Sequence, residues 1–433
     1  MNKLLLGVGR EIITPEIGCN LVGYRPDLYS ESVADDLTAT AFWFEYNGKK
    51  ALAITTTVCL INTALTNEIF SKIEETFGVS KDNCILSATH THSGPATMGT
   101  EGWGDIDWDY CNSIFIPKIL AAVETAKNNK TPVKMGVGRG TSLVGVNRRE
   151  LFHYNDYAQF GQNPWGCFNP EMTILSFKDD NDKTVANIIH YGAHCTAAGP
   201  NTEITRDWAG LMIDALDEAS GGISAFFNGP EGDVGPRLSN GQTTGDMTYV
   251  AELGKVAGDD AVRIFNTISE YNDIDINCLS AEVTIPLKPK VPYEKAVAEF
   301  KRYEQYTVNL NGMTRQHYAD VIKAYDNNEE DKEANTVSQV LLRLGDVVLL
   351  STPYELFSEI GMRINKACSK YHVLSLACTN GSEGYFVTQD QLVKGGYEVY
   401  YFQNAHVQEF VDNADWHFLQ ESIKNLKTLE EAK

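Results

Sequence analysis

The sequence predicts an α/β fold, with mixed β-sheets flanked by helices and a site built from loops at strand ends. Three observations predict it. Short apolar runs of β character alternate with amphipathic segments, without linkers, repeats or low-complexity tracts. Turn signals at Asn47-Gly48 and Gly345-Asp346 each separate two apolar runs, as hairpins require. The loops richest in Gly, His, Asn and Asp follow apolar strand candidates, where α/β proteins place their sites.

Taken in order, residues 40–46 and 50–54 form the first hairpin, and apolar spacing predicts a helix over 62–76. Residues 84–86 read as a short buried strand running into the His90 loop. Helical periodicity returns at 113–128, and the apolar runs 185–189 and 223–227 bracket a helix at 207–219. Further helices are expected at 248–267 and 293–306. Residues 326–333 are mostly acidic and polar, a solvated helix end or loop. A second hairpin pairs 339–344 with 347–350, followed by a helix over 354–368 and a strand over 372–377.

Composition narrows the function. At 433 residues with 43% hydrophobic content the chain can bury a large core. A formal net charge of -22 argues against nucleic acid or an anionic membrane as main partner, since both need a basic footprint. Nine cysteines are scattered with no CxxC pair, so spacing indicates neither a thiolate zinc site nor a disulfide framework. No segment approaches the roughly 20 apolar residues of a membrane helix. The apolar stretch before Arg10 is too short for a signal peptide, and a cytoplasmic location is expected.

The most informative segment is Ser87-Ala88-Thr89-His90-Thr91-His92-Ser93-Gly94-Pro95. Neutral imidazole is the commonest metal ligand, and on a strand both rings would share a face; two satisfied structural histidines fit the same pattern. A second loop runs from His190 through His194 to Asp207, with His190 read as a core residue and His194 free to face a site. A third, from Asn228 to Arg237, carries three glycines and two prolines but no P-loop lysine. Glu355 has a local explanation: Thr352-Pro353-Tyr354-Glu355 fits a helix capping box. Trp103 and Trp108, interleaved with acidic residues, read either as an ordinary surface loop or as a lid near the His90 loop.

Together and in this order, these segments resemble the neutral/alkaline non-lysosomal ceramidases. The resemblance rests on Gly7-Val8-Gly9-Arg10-Glu11-Ile12-Ile13-Thr14-Pro15, Ala88 to Pro95, Asn147-Arg148, His194-Cys195-Thr196, Thr352 to Glu355, and Gly384-Tyr385 with Tyr397 twelve residues on. It implies a zinc ion held by His90, His194, Glu355 and Tyr385, with His92, Arg148 and Tyr397 around a scissile carbonyl. It also implies hydrolysis of an N-acyl amide by metal-activated water, on a small-molecule or lipid-like substrate. Ligands from both halves (about 1–270 and 271–433) would make residues 1–433 one catalytic unit. The sequence departs from the family at Gly235, which stands where ceramide-cleaving members carry a serine. Those members also extend into a C-terminal β-sandwich domain, for which no counterpart is expected within residues 1–433. These departures leave two alternatives beside the ceramidase-like amidase: a catalytically silent zinc- or ligand-binding relative, and an amidase or esterase for a small polar metabolite. In either enzyme, Gly235, Trp103 and Trp108 would lie on the substrate side.

Overall fold

The structure is a computed structural model that describes residues 3–99, 104–151, 157–306 and 309–431. Its largest element is an eight-stranded mixed sheet. The order across it is Ile223–Asn228, Thr184–Tyr191, Glu171–Asp179, Thr131–Thr141, Leu4–Ile12, Thr38–Tyr46, Lys49–Thr56 and Cys84–Ala88. The outermost pair at each end is parallel and the rest are antiparallel. Side chains alternate as a strand demands. Leu4, Leu6, Val8, Phe42, Phe44, Ala51 and Ala53 join one apolar cluster, while Ala39, Ala41, Trp43, Leu52 and Ile54 join another.

That first cluster also contains Leu342, Leu344, Leu349, Leu374 and Leu376 from a four-stranded sheet. Its order is Ile276–Pro286, Ala334–Leu344, Val347–Ser351 and His372–Leu376. The two sheets therefore share a core, to which each fully buried Phe or Leu contributes about 1.5–3 kcal/mol. Helices cover the opposite faces: Thr63–Phe77, Ile116–Asn128, Asp207–Ser220 and Met247–Phe265 on the large sheet, Ser358–Ala367 and Ala414–Glu431 on the small one. The Gly7-Val8-Gly9 run has its explanation here. A Cβ at Gly7 would lie 1.8 Å from the Ala126 carbonyl oxygen and one at Gly9 2.2 Å from that of Ala122. Only glycine lets the helix Ile116–Asn128 sit this close.

The large sheet curls until its edge strands lie side by side. The Thr55 hydroxyl donates to the Phe226 carbonyl (2.7 Å) and Asn228 Nδ2 to that of Thr89 (3.0 Å). The chain leaving His372–Leu376 enters the same end, with Ala377 N–H donating to Asn228 O (3.1 Å) and Ala88 N–H to Cys378 O (3.2 Å). Three loops far apart in sequence thus meet at one point.

Both predicted hairpins are present. Among the described residues, three helices of eight residues or more escaped the periodicity: Asn309–Asp326, Tyr397–Asn404 and Ala414–Glu431. The helix expected over 354–368 spans only Ser358–Ala367, and Glu355 lies outside it. His190 is a core residue whose Nε2 donates to Ser375 O at 2.9 Å. Burial pushes its pKa down to about 4. The unfolded chain therefore binds a proton here that the folded chain refuses, between pH 6.5 and 4. Stability is expected to fall as pH drops through that window, with His190 costing up to about 3 kcal/mol. Urea unfolding at pH 7 and pH 4.5 checks this, because His190→Gln keeps a donor for Ser375 but cannot titrate. An equal acid loss in the variant would contradict it.

Candidate metal centre and active site

The strand Cys84–Ala88 ends two residues before His90, which takes a left-handed backbone (φ 68). That conformation is uncommon for a side chain of this kind and needs support. His90 N–H donates to Val58 O and its ring Nδ1 to Cys59 O, both at 3.0 Å. The carbonyl fixes the tautomer and leaves Nε2 as an acceptor. Although the strand has ended, His90 and His92 still face one another, with Nε2 atoms 3.2 Å apart. His92 fits only because Gly23 has no side chain: a Cβ there would sit 2.3 Å from His92 Nδ1.

His194 reaches the same point from the loop after Thr184–Tyr191. Its Nδ1 donates to the carbonyls of Glu231 (2.9 Å) and Val234 (3.1 Å), so its Nε2 is also an acceptor. Burial first, then Arg148 and His90, push its pKa down to about 3. Asp207 shapes this loop by accepting from the N–H groups of Ala197, Ala198 and Trp208. Asn201 ties it to the His90 loop by donating to the Ser93 hydroxyl at 2.9 Å.

Glu355 corrects the capping-box reading. It sits in a two-residue strand, Glu355–Leu356, pairing in parallel with Tyr385–Phe386, and the Thr352 hydroxyl caps nothing. Glu355 Oε2 lies 3.4 Å from His90 Nε2 and 3.2 Å from His194 Nε2 yet makes no hydrogen bond. Burial opposes its charge, but His90 and His194 outweigh burial and hold the carboxyl well below its usual range. Two acceptor nitrogens and an orphaned carboxylate oxygen converge in a buried space, an arrangement that a cation satisfies. The Tyr385 hydroxyl adds an oxygen 3.4 Å from His194 Nε2. These nitrogen and oxygen donors fit a divalent ion such as zinc.

Arg148 stands beside this group, donating from its terminal nitrogen to the Tyr385 hydroxyl (2.9 Å) and from Nε to Glu398 (2.8 Å). Burial works against its charge, but Tyr385, Glu398 and Glu355 keep it firmly protonated. Glu398 also binds Arg149, so one buried carboxylate carries two guanidinium groups. Sequence reasoning assigned Glu398 no role; its only signal was adjacency to Tyr397. The Tyr397 ring packs on Tyr385 at 5.7 Å and on Phe160 at 5.1 Å. A cavity of about 260 Å3 opens over the site, lined by His90, His92, Glu355, Tyr385 and Tyr397 together with Val22, Leu60 and Met98.

Two other candidates fall elsewhere. Gly235 pairs with Val146 in a short strand, outside the described lining of the cavity. A Cβ there would lie 2.7 Å from Thr243 Cβ and 3.4 Å from Arg148 Cβ. Thr243 occupies the room a serine would need. Gly235→Ser is accordingly expected to destabilise the fold by about 1–3 kcal/mol, read as a lower urea midpoint; an unchanged midpoint would show that Thr243 yields freely. Trp108 begins a short helix capped by Asp107 and is 45% exposed, also outside the cavity's described lining. Trp103 lies outside the described residues. Met98 and Gly99, just before it, do reach the cavity.

A family model described as "Neutral/alkaline non-lysosomal ceramidase, N-terminal" matches residues 4–253. The neutral ceramidase A of Dictyostelium discoideum is 26% identical over 253 residues, covering 53% of this chain and 35% of that protein. The neutral ceramidase of Pseudomonas aeruginosa is 24% identical over 250 residues, covering 54% of this chain and 37% of its own length. These matches thus span little more than a third of each relative. The crystal structure of the Pseudomonas aeruginosa enzyme superposes with a TM-score of 0.74 at 18% identity, covering 99% of this chain and 75% of that one. At that identity the superposition shows a shared fold. By its matched sequence, this chain belongs to the neutral/alkaline non-lysosomal ceramidase family.

Proposed function

We propose that this chain is a zinc-dependent hydrolase that cleaves an N-acyl amide bond. The observation that carries this reading is the convergence of His90 Nε2, His194 Nε2 and the unpartnered Glu355 Oε2 beside a cavity that His90 and Glu355 line. These three, with the Tyr385 hydroxyl beside them, would hold a divalent ion, which would supply Lewis acidity and lower the pKa of a water toward neutrality. The chain's own groups do the rest. Arg148 brings a fixed positive charge next to the reacting centre and, through its hydrogen bond, orients the Tyr385 hydroxyl toward charge developing on a carbonyl oxygen. His92 is kept neutral by burial and by the neighbouring His90 and His194 imidazoles. A neutral His92, its Nε2 beside the ligand group, can take the proton given up by the attacking water and return it to the departing amine. Tyr397 forms the wall next to Tyr385.

The apolar lining from Val22, Leu60 and Met98 favours a substrate with an acyl chain over a wholly polar one. No hydroxyl comes from position 235, and this chemistry needs none there. The test is a panel of N-acyl amides differing in acyl length, with small polar amides and esters alongside. Acyl-chain amides are expected to be cleaved at least ~10-fold faster than polar ones, with activity lost on chelation and restored by zinc. Faster turnover of the polar amides would favour the small-metabolite reading. A metal-loaded protein inert toward the whole panel would leave only a binding role.

A further inference from the structure

We propose that Glu383 recognises a second, protonated amino group on the leaving amine, so that the preferred substrate is the mono-N-acyl derivative of a diamine. The proposal rests on the amidase reading and names the side of the substrate that the acyl preference leaves open. Glu383 lines the cavity over the ligand group and stands two residues before Tyr385. The described lining holds two carboxylates, Glu355 and Glu383, and no lysine or arginine. An ion held by His90, His194 and Glu355 would neutralise the first. The second keeps its charge without a counter-ion.

The surroundings of Glu383 point to a ligand rather than to a structural duty. Among the described residues, the one side-chain bond to its carboxylate comes from the Thr63 hydroxyl, which donates to Oε1 at 3.2 Å, and no ion pair includes it. Thr63 opens the helix Thr63–Phe77, but the Asn62 side chain already caps that helix by accepting from Ala64 N–H. Burial makes a lone carboxylate here costly, and a cation entering the cavity offsets the cost. The backbone holds the group in place: Glu383 N–H donates to Pro353 O at 2.7 Å, and Glu355 N–H donates to Gly384 O at 2.9 Å.

Chain geometry sets the reach. Cα atoms two residues apart are separated by at most about 7 Å. An ammonium a few carbon atoms beyond the amide nitrogen can therefore meet Glu383 while the carbonyl lies beside Tyr385. The reaction is unchanged: the C–N bond breaks, the acyl carbon takes the oxygen of water, and the departing nitrogen takes its proton. The distal ammonium acts through binding alone, and a carboxylate in its place would be repelled.

The test is calorimetric binding to the zinc-loaded protein of two reduced amides, in which CH2 replaces the carbonyl so that neither can be hydrolysed. N-octyl-1,4-diaminobutane carries the second amine, and N-octylpentylamine has a methyl group in its place. The diamine is expected to bind at least ~10-fold tighter. Glu383→Gln keeps an acceptor for Thr63 and should bring the two ligands to within ~3-fold of each other. Glu430→Gln, exposed on the C-terminal helix, controls for the chain's general negative charge and should keep the full preference. A wild-type preference below ~10-fold, or one that survives Glu383→Gln, would overturn the proposal. Hydrolysis of N-octanoyl-1,4-diaminobutane and N-octanoylpentylamine is followed alongside. Cleavage of both without a binding preference would sink Glu383 recognition and leave the amidase reading standing. A preference without cleavage of either would do the opposite.

Discussion

Glu355→Ala is expected to release the ion held between His90 and His194 and to abolish hydrolysis. Among the described residues, the carboxylate is the sole negative charge in contact with both acceptor nitrogens. Losing a partner that merely orients a ligand typically costs 10–100-fold in affinity. Loss of a ligand should therefore weaken this site by at least ~100-fold, measurable by competition with a chelator. The variant should remain folded, because Glu355 caps no helix and makes no hydrogen bond through Oε2. Had it been an N-terminal cap, its loss would cost about 0.5–2 kcal/mol of stability and leave metal content untouched. The two outcomes are opposites, so one variant decides between them.

Glu398→Ala is expected to do the reverse: to destabilise the fold severely while leaving the metal ligands in place. Glu398 is 2% exposed and binds both Arg148 and Arg149. Removing it strands two buried guanidinium groups, and breaking a buried pair in this way costs roughly 3–5 kcal/mol. The urea midpoint should fall by that amount divided by an m-value close to wild type. Activity should fall as well, since Arg148 would lose the anchor that aims it at Tyr385. A loss below about 1 kcal/mol would mean that water or Gln391, which already accepts from Arg149 Nε, compensates.

Much of the fold is legible in the sequence for a physical reason. Strands such as Thr38–Tyr46 and Val347–Ser351 are apolar, short and bounded by turn residues, and their pairing is local. The helices Asn309–Asp326 and Ala414–Glu431 are not, because both are polar on average and bury only a narrow stripe. The site is less legible than the fold. His90 and His194 announce themselves by residue type. Glu355 carries a capping pattern that is indistinguishable, locally, from a ligand in a strand. Glu398 acquires meaning only when the fold brings it against Arg148 and Arg149, some 250 residues earlier in the chain. The family resemblance supplied what local spacing could not: the grouping of His90, His194, Glu355 and Tyr385.

The most direct test of the central claim is metal content by elemental analysis of wild type and His194→Ala, prepared identically. Among the metal-candidate groups of the described residues, His194 belongs only to the one with His90 and Glu355, so it reports on that group alone. The account predicts that the variant holds one equivalent of zinc per chain fewer than wild type, at unchanged far-ultraviolet circular dichroism. Equal metal content in the two proteins, or none in wild type after zinc is added back, would contradict it.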